Sequence, residues 1–284
     1  MRSRRIFRFA VLGVAGVALA ASLTTLASAA PAPAAVSYPT VPKPTVVLVD
    51  GAWSDQASWS GVVKPLQAAG YPVVAPPTAL RSLSGDAAYL ASYLRTIQGP
   101  IVLVGQSYGG SVITNVHNTN VKALVYISAF APDKDETVQG LTGQFPGSHI
   151  TDDPSAPLPT ALSAVPFTKP DGTTDIDLYA KPSDYRDLFL SNRLSAAAAA
   201  ELAATQSPVT LTALGELSGD PAWKSVPSWY LVSDDDHLIP PAAERFMANR
   251  AHSHIVEADT PHAAQVTNPG IVVDLIERAA AATR

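Results

Sequence analysis

The chain has no cysteine among its 284 residues. Disulfides, thiolate metal sites and a cysteine nucleophile are therefore excluded. Charged residues are sparse, at 15 %, and their balance is acidic, with a formal net charge of −5. That balance argues against nucleic acid or an anionic membrane as a partner. A membrane-spanning run is also missing. The apolar stretch from Ala10 to about Ala21 is rich in Ala and Gly and falls short of the roughly 20 strongly apolar residues that a spanning helix needs. No stable membrane anchor is expected, and no internal repeat is visible.

Arg2, Arg4, Arg5 and Arg8 precede that stretch and Ala27-Ser28-Ala29 follows it. This is the layout of a cleaved secretory signal over residues 1–29, so the protein is expected to be secreted. Ser3-Arg4-Arg5-Ile6-Phe7 also resembles a twin-arginine export signal, although Arg8 stands where an apolar residue is usual, so both export routes stay open. Residues 30–44 are Ala/Pro-rich without periodicity and read as a linker. Residues 45–284 suffice for one large single-core domain, expected as a monomer or weak dimer.

From Thr45 onward, short apolar runs alternate with longer amphipathic ones, which predicts an α/β fold with a mostly parallel sheet of about six strands flanked by helices. The strands are expected at Thr45–Val49, Pro72–Ala75, Ile101–Val104, Ala123–Ser128, Ser228–Val232 and His254–Glu257. Several are apolar at every position, as strands covered on both faces are. Helical spacing marks Ser58–Ala69, Ser84–Gln98, Ser107–His117, Pro241–Asn249 and Asn268–Ala281. Residues 131–226 break the alternation with many prolines and one helical segment, Leu194–Gln206. They are expected to form a helical cap over the carboxyl ends of the strands.

The motif with the most chemical content is Gly105-Gln106-Ser107-Tyr108-Gly109, placed between an apolar strand and a helix. A serine in that turn is strained and lifted above the sheet, and a Cβ at either flanking glycine would strike the adjoining strand or helix. The Tyr108 N–H and the helix dipole then face any oxyanion that forms.

On these residues the chain resembles the α/β-hydrolase superfamily, and within it compact, cofactor-independent bacterial esterases related to plant methyl-ester esterases and hydroxynitrile lyases. The resemblance implies a serine hydrolase that cleaves carboxylic esters through an acyl-enzyme and needs neither cofactor nor metal. The family order of nucleophile, acid, histidine points to His262, in Thr260-Pro261-His262, as the base. The acid falls within Asp234-Asp235-Asp236; the family pattern favours Asp236, with Asp235 as the alternative. The second oxyanion donor would be the Ala52 N–H, with Gly51 turning the backbone toward the nucleophile. Asp50 stands where the family commonly has histidine, which leaves the local hydrogen-bond network and pH profile open.

Trp53 is expected in the pocket wall, and His252-Ser253-His254 reads as structural because no third metal ligand lies nearby. The aromatics of the cap favour a small or medium apolar ester. Other reactions of the same triad, such as lactone opening, C–C lysis or perhydrolysis, and a non-catalytic binding protein of the same fold, are the alternatives. The absence of a lysine from Asp259–Asn268 speaks against a hydroxynitrile lyase, which the resemblance would equip with one.

Overall fold

The computed structural model describes residues 42–283. The expected signal peptide and nearly all of the expected linker lie outside these residues. In chain order the strands are β1 Thr45–Val49, β2 Val73–Val74, β3 Ile101–Ser107, β4 Val121–Ala129, β5 Leu162–Thr168, β6 Thr174–Ala180, β7 Val209–Thr210, β8 Ser228–Ser233 and β9 His254–Ala258. The helices are α1 Ser60–Ala68, α2 Leu83–Leu94, α3 Tyr108–Thr114, α4 Val138–Gln144, α5 Pro182–Leu190, α6 Ala196–Ala204, α7 Leu211–Gly215, α8 Pro241–Arg250, α9 Ala264–Thr267 and α10 Pro269–Ala281.

Six strands form one sheet in the order β2-β1-β3-β4-β8-β9, and every neighbouring pair is parallel. The all-apolar strands have a direct cause. Val47, Val49, Ile101 and Leu103 point into a core shared with α2, α3 and α8, while Val46, Leu48, Val102 and Val104 point into a second core with α1 and α10. Alternate side chains thus meet helices on opposite faces, and neither face tolerates polar residues. The chain reverses direction across the sheet between β1 and β3, and at such a point the carboxyl ends of the strands diverge and leave a crevice.

Residues 131–226 do form an insertion, but it is mixed rather than purely helical. Beside its helices it holds a three-stranded antiparallel sheet, β5-β6-β7. A hairpin joins Leu162–Thr168 to Thr174–Ala180 through a turn in which Gly172 takes φ +84°, a conformation open to glycine. Pro166 lies in β5, an edge strand, where a missing backbone donor is tolerated. The expected helix at Leu194–Gln206 occupies Ala196–Ala204, with the Ser195 side chain accepting from the Ala198 N–H. Two further helices run shorter than their periodicity suggests: α2 ends at Leu94 and α3 at Thr114.

Among the described residues no helix is long and apolar enough to cross a membrane.

Candidate active site

Ser107 ends β3 and immediately precedes α3, with φ +52° and ψ −124°. A positive φ at a non-glycine residue costs on the order of 1–3 kcal/mol and persists only where the surroundings enforce it. Here close backbone packing does so. A Cβ on Gly105 would lie 2.5 Å from the Gly109 carbonyl oxygen, and one on Gly109 would lie 2.5 Å from that of Val49. Gly51 brings the β1 loop equally close, since a Cβ there would sit 2.7 Å from the Ser107 Cβ.

The loops after β8 and β9 supply a buried acid and base. His262 Nδ1 is 2.6 Å from Asp236 Oδ2, and both side chains are sealed from solvent. The other oxygen of Asp236 accepts the Leu238 and Ile239 N–H groups at 2.7 and 2.8 Å. These bonds fix the carboxylate, and the carboxylate fixes the ring, leaving His262 Nε2 buried without a hydrogen-bond partner among the described residues. Gln106 Nε2 donates to the His262 carbonyl at 3.1 Å, tying the base to the residue before Ser107, and the Phe189 ring packs 5.7 Å from the imidazole.

The three consecutive aspartates have three different fates. Asp234 pairs with Arg245, Asp235 with Arg193 at 2.7 Å, and Asp236 alone turns inward to His262. The alternative acid, Asp235, is thereby occupied elsewhere.

Behind Asp236 lies a residue that sequence reasoning did not find. Glu244, on α8, is wholly buried, accepts the Ser233 N–H on Oε2 at 2.8 Å and lies beside the Asp236 carboxyl. Burial, and then the adjacent negative charge of Asp236, push its carboxyl well above the ordinary carboxylate range. Its Oε1 has no hydrogen-bond partner among the described residues. The only sequence signal is a glutamate on the inward face of an otherwise apolar stripe, Ala243, Met247 and Ala248.

Tyr108 begins α3, so its N–H has no acceptor within the helix, while its hydroxyl donates to Asp86 Oδ2 at 2.8 Å. Asp86 Oδ1 in turn accepts the Leu80 N–H at 3.1 Å. Burial raises both the Tyr108 phenol and the Asp86 carboxyl, which keeps the phenol a hydrogen-bond donor. Ala52, Trp53, Ser107 and Tyr108 all line one cavity.

Trp53 is more than pocket wall. It adopts φ +59°, its indole Nε1 donates to the Leu178 carbonyl at 2.8 Å, and its own carbonyl accepts from the Tyr185 hydroxyl at 2.9 Å. Both partners belong to the insertion, so Trp53 clasps it to the β1 loop. Asp50 is buried, and its carboxylate accepts long hydrogen bonds of 3.3 to 3.4 Å from Gln56 and Thr78. Burial outweighs these bonds and lifts its carboxyl to about 6.

The remaining histidines lie apart from this pair. His117 contacts the Asp220 carbonyl at 2.9 Å, and His254 packs against Trp229 at 4.8 Å between ring centres. His149 and His237 meet each other at 4.1 Å between ring centres.

The cavity has a volume of about 1260 Å³ and lies between the strand ends and the insertion. Phe130, Phe145, Leu162, Leu178 and Leu214 give it apolar walls. It exceeds the roughly 300–1,000 Å³ typical of small-molecule sites, so it has room for more than the small or medium ester expected from the sequence.

A family model described as "Alpha/beta hydrolase family" matches residues 46–275. A "Carbendazim hydrolyzing esterase" of Nocardioides sp. (strain SG-4G) is 32 % identical over 110 residues, a match covering 34 % of this chain and 46 % of that protein, under half its length. "Alpha/beta hydrolase nvfD" of Aspergillus novofumigatus (strain IBT 16806) is 26 % identical over 261 residues, covering 84 % of this chain and 97 % of that one. Among solved structures, polyneuridine aldehyde esterase superposes with a TM-score of 0.70 at 16 % identity, covering 83 % of this chain and 98 % of that chain. A pyrethroid hydrolase from Sphingobium faniae JZ-2 gives 0.65 at 20 % identity, with 84 % and 98 % covered. At such identities these structures speak for the fold.

Proposed function

The chain belongs to the alpha/beta hydrolase family, and from that premise we propose that it is a secreted serine esterase which cleaves apolar carboxylic esters through an acyl-enzyme on Ser107. The observation that carries the reading is the buried 2.6 Å contact of His262 with Asp236, combined with the strained backbone of Ser107 at φ +52°. Asp236 accepts the Nδ1–H of His262, which holds the tautomer whose Nε2 is a base.

His262 Nε2 removes the Ser107 hydroxyl proton as Oγ attacks the ester carbonyl. The oxyanion is met by the N–H groups of Ala52 and Tyr108, and the helix dipole of α3 adds a favourable potential. His262 then returns the proton to the departing alkoxide, leaving the acyl group on Oγ. A water molecule, deprotonated by His262, releases the acid and restores Ser107. The apolar walls and large volume of the cavity favour esters with bulky apolar acyl or alcohol parts.

The test is covalent labelling with a fluorophosphonate together with turnover of p-nitrophenyl butyrate. The native chain takes one label and turns over the ester, and Ser107→Ala loses the label and at least about 10⁴-fold in kcat. Labelling that survives Ser107→Ala, or none in the folded native protein, would overturn the proposal. N-terminal sequencing of the exported protein tests the signal: a mature chain that retains residues 1–29 would contradict secretion by cleavage.

A further inference from the structure

The residue after the catalytic acid is His237, and its imidazole faces a carboxylate oxygen at each nitrogen. Nδ1 lies 3.2 Å from Asp187 Oδ1, and Nε2 lies 3.4 Å from Asp235 Oδ1. A neutral imidazole carries one N–H, so one of its nitrogens turns a lone pair toward an oxygen that also offers only lone pairs. A second imidazole repeats the demand on the same carboxylate, with His149 Nδ1 2.6 Å from Asp187 Oδ2. The two rings stack at 4.1 Å between centres. A positive charge among these groups, from a second ring proton or from a metal ion, relieves the conflict.

The donor set is that of a metal ion, and the 2.6 Å His149–Asp187 contact opens by a fraction of an ångström when both atoms ligate it. His149, Asp187 and His237 each offer one ligand atom, and these atoms lie within 4.8 Å of one another. All three side chains are partly exposed, so an ion can enter from solvent. The supporting shell is also present. Asn192 Nδ2 donates to Asp187 Oδ1 at 2.8 Å, and Arg193 holds at 2.7 Å the Asp235 carboxylate that faces the far nitrogen of His237. Metal-bound histidines commonly hand their second N–H to such a carboxylate.

We propose that His149, Asp187 and His237 form a binding site for a borderline divalent cation of the zinc type, which staples the insertion to the loop carrying Asp236. Two imidazole nitrogens and one carboxylate oxygen suit zinc, nickel or cobalt rather than the all-oxygen shells of calcium and magnesium. Water completes the coordination. Both sides of the insertion contact are bridged, because His149 follows α4 and Asp187 lies on α5, while His237 belongs to the loop after β8. The His149 N–H already donates to the His237 carbonyl at 2.7 Å, which fixes their spacing. The ligands stand 38 and 50 residues from Asp187, too far apart to form a sequence motif.

Calorimetric titration of the mature protein with ZnCl₂ in a non-chelating buffer tests the site, with Tm followed in parallel. One ion per chain is expected, with a rise in Tm that MgCl₂ does not produce. H149A and H237A each weaken binding by more than about 10-fold, and D235N, which keeps every ligand, weakens it by about 10-fold. Circular dichroism shows whether each variant is folded, and the exposed His149 gives a decisive variant should H237A unfold. No saturable zinc binding by the native protein, or binding unchanged in folded H149A, overturns the proposal. So does binding lost only in the H252A/H254A double variant. Binding is read without turnover, so failure of the esterase reading leaves this result intact.

Discussion

The carboxyl ends of the parallel strands and the insertion above them line the same cavity, yet they are held by different physics. At the strand ends, backbone meets backbone: the elbow at Ser107 leaves no room for a methyl group on either side. The insertion contributes its hairpin as a largely open surface, with most of β5 exposed. It is tied to the core by discrete contacts, such as the hydrogen bonds of Trp53 to Leu178, Tyr185 to Trp53 and the His149 N–H to the His237 carbonyl, and the ion pair of Arg81 with Asp177. One region fixes Ser107 through backbone contacts with no room to spare, and the other supplies much of the cavity's apolar wall.

If that contrast is right, the largest effect comes from Gly109→Ala. Its methyl group would lie 2.5 Å from the Val49 oxygen and 2.8 Å from that of Asp50, so β1 and α3 must part. Destabilisation of about 3 kcal/mol and a loss of kcat/KM of at least about 100-fold are expected, read by denaturant unfolding and p-nitrophenyl butyrate turnover. A variant near native in both would show the elbow to be far softer than its contacts suggest.

Glu244 sharpens the comparison, because its buried carboxyl lies beside that of Asp236. Glu244→Gln keeps the shape and a neutral polar head beside Asp236, whereas Glu244→Ala removes both. We expect the glutamine variant to retain turnover within a few-fold and the alanine variant to lose about 100-fold in kcat with little change in KM. Stability should separate them too. Folded Glu244 keeps its proton above the ordinary value of 4.5, where the unfolded chain has lost it. The folded state then binds more protons, so stability falls as pH rises above about 4.5, and glutamine removes that slope. Equal kcat in both variants would confine Glu244 to packing.

What the sequence revealed follows the same division. Strands covered on both faces must be apolar throughout, so the six parallel strands could be read from composition along the chain, and the elbow from its two glycines. Ser107, His262 and the choice of Asp236 over Asp235 rested on motif and order, and the structure brings the acid and base together. The hairpin of the insertion was hidden because exposure erases alternation in β5, although Asp171-Gly172 marked a turn. Glu244 and the Asp86–Tyr108 bond were hidden for another reason: a buried carboxyl looks like a surface one until its neighbours are known.

Asp50 offers a moderate effect at the boundary of the two regions. Burial raises its carboxyl from 3.8 to about 6. Below pH 3.8 the folded and unfolded chains both hold the proton; as pH rises to about 6 the unfolded chain releases it first, and the folded state loses stability. A shift of this size corresponds to about 2–3 kcal/mol. Asp50→Asn should abolish that loss, narrowing the difference in unfolding free energy between pH 4 and pH 6.5 by that order. An unchanged pH dependence would mean that water reaches Asp50.

The smallest effect belongs to the insertion. Arg81, just before α2, pairs with Asp177 on β6 and lies 5.5 Å from the centre of the Phe167 ring. Nearly half of its side chain remains exposed, at 44 %, so screening and side-chain entropy leave such a pair worth at most about 1 kcal/mol. Arg81→Ala should therefore lower stability by less than that, with salt reducing the difference further, and should leave p-nitrophenyl acetate turnover nearly unchanged. On the proposed function its effect should grow with the ester, because Ile176 and Leu178 of the hairpin line the same cavity as Ser107 and a bulky acyl group has more of that wall to meet than acetate. A loss of several kcal/mol, or an equal loss for both esters, would mean that the hairpin is locked to the core as firmly as the elbow, and the contrast between the two regions would fail.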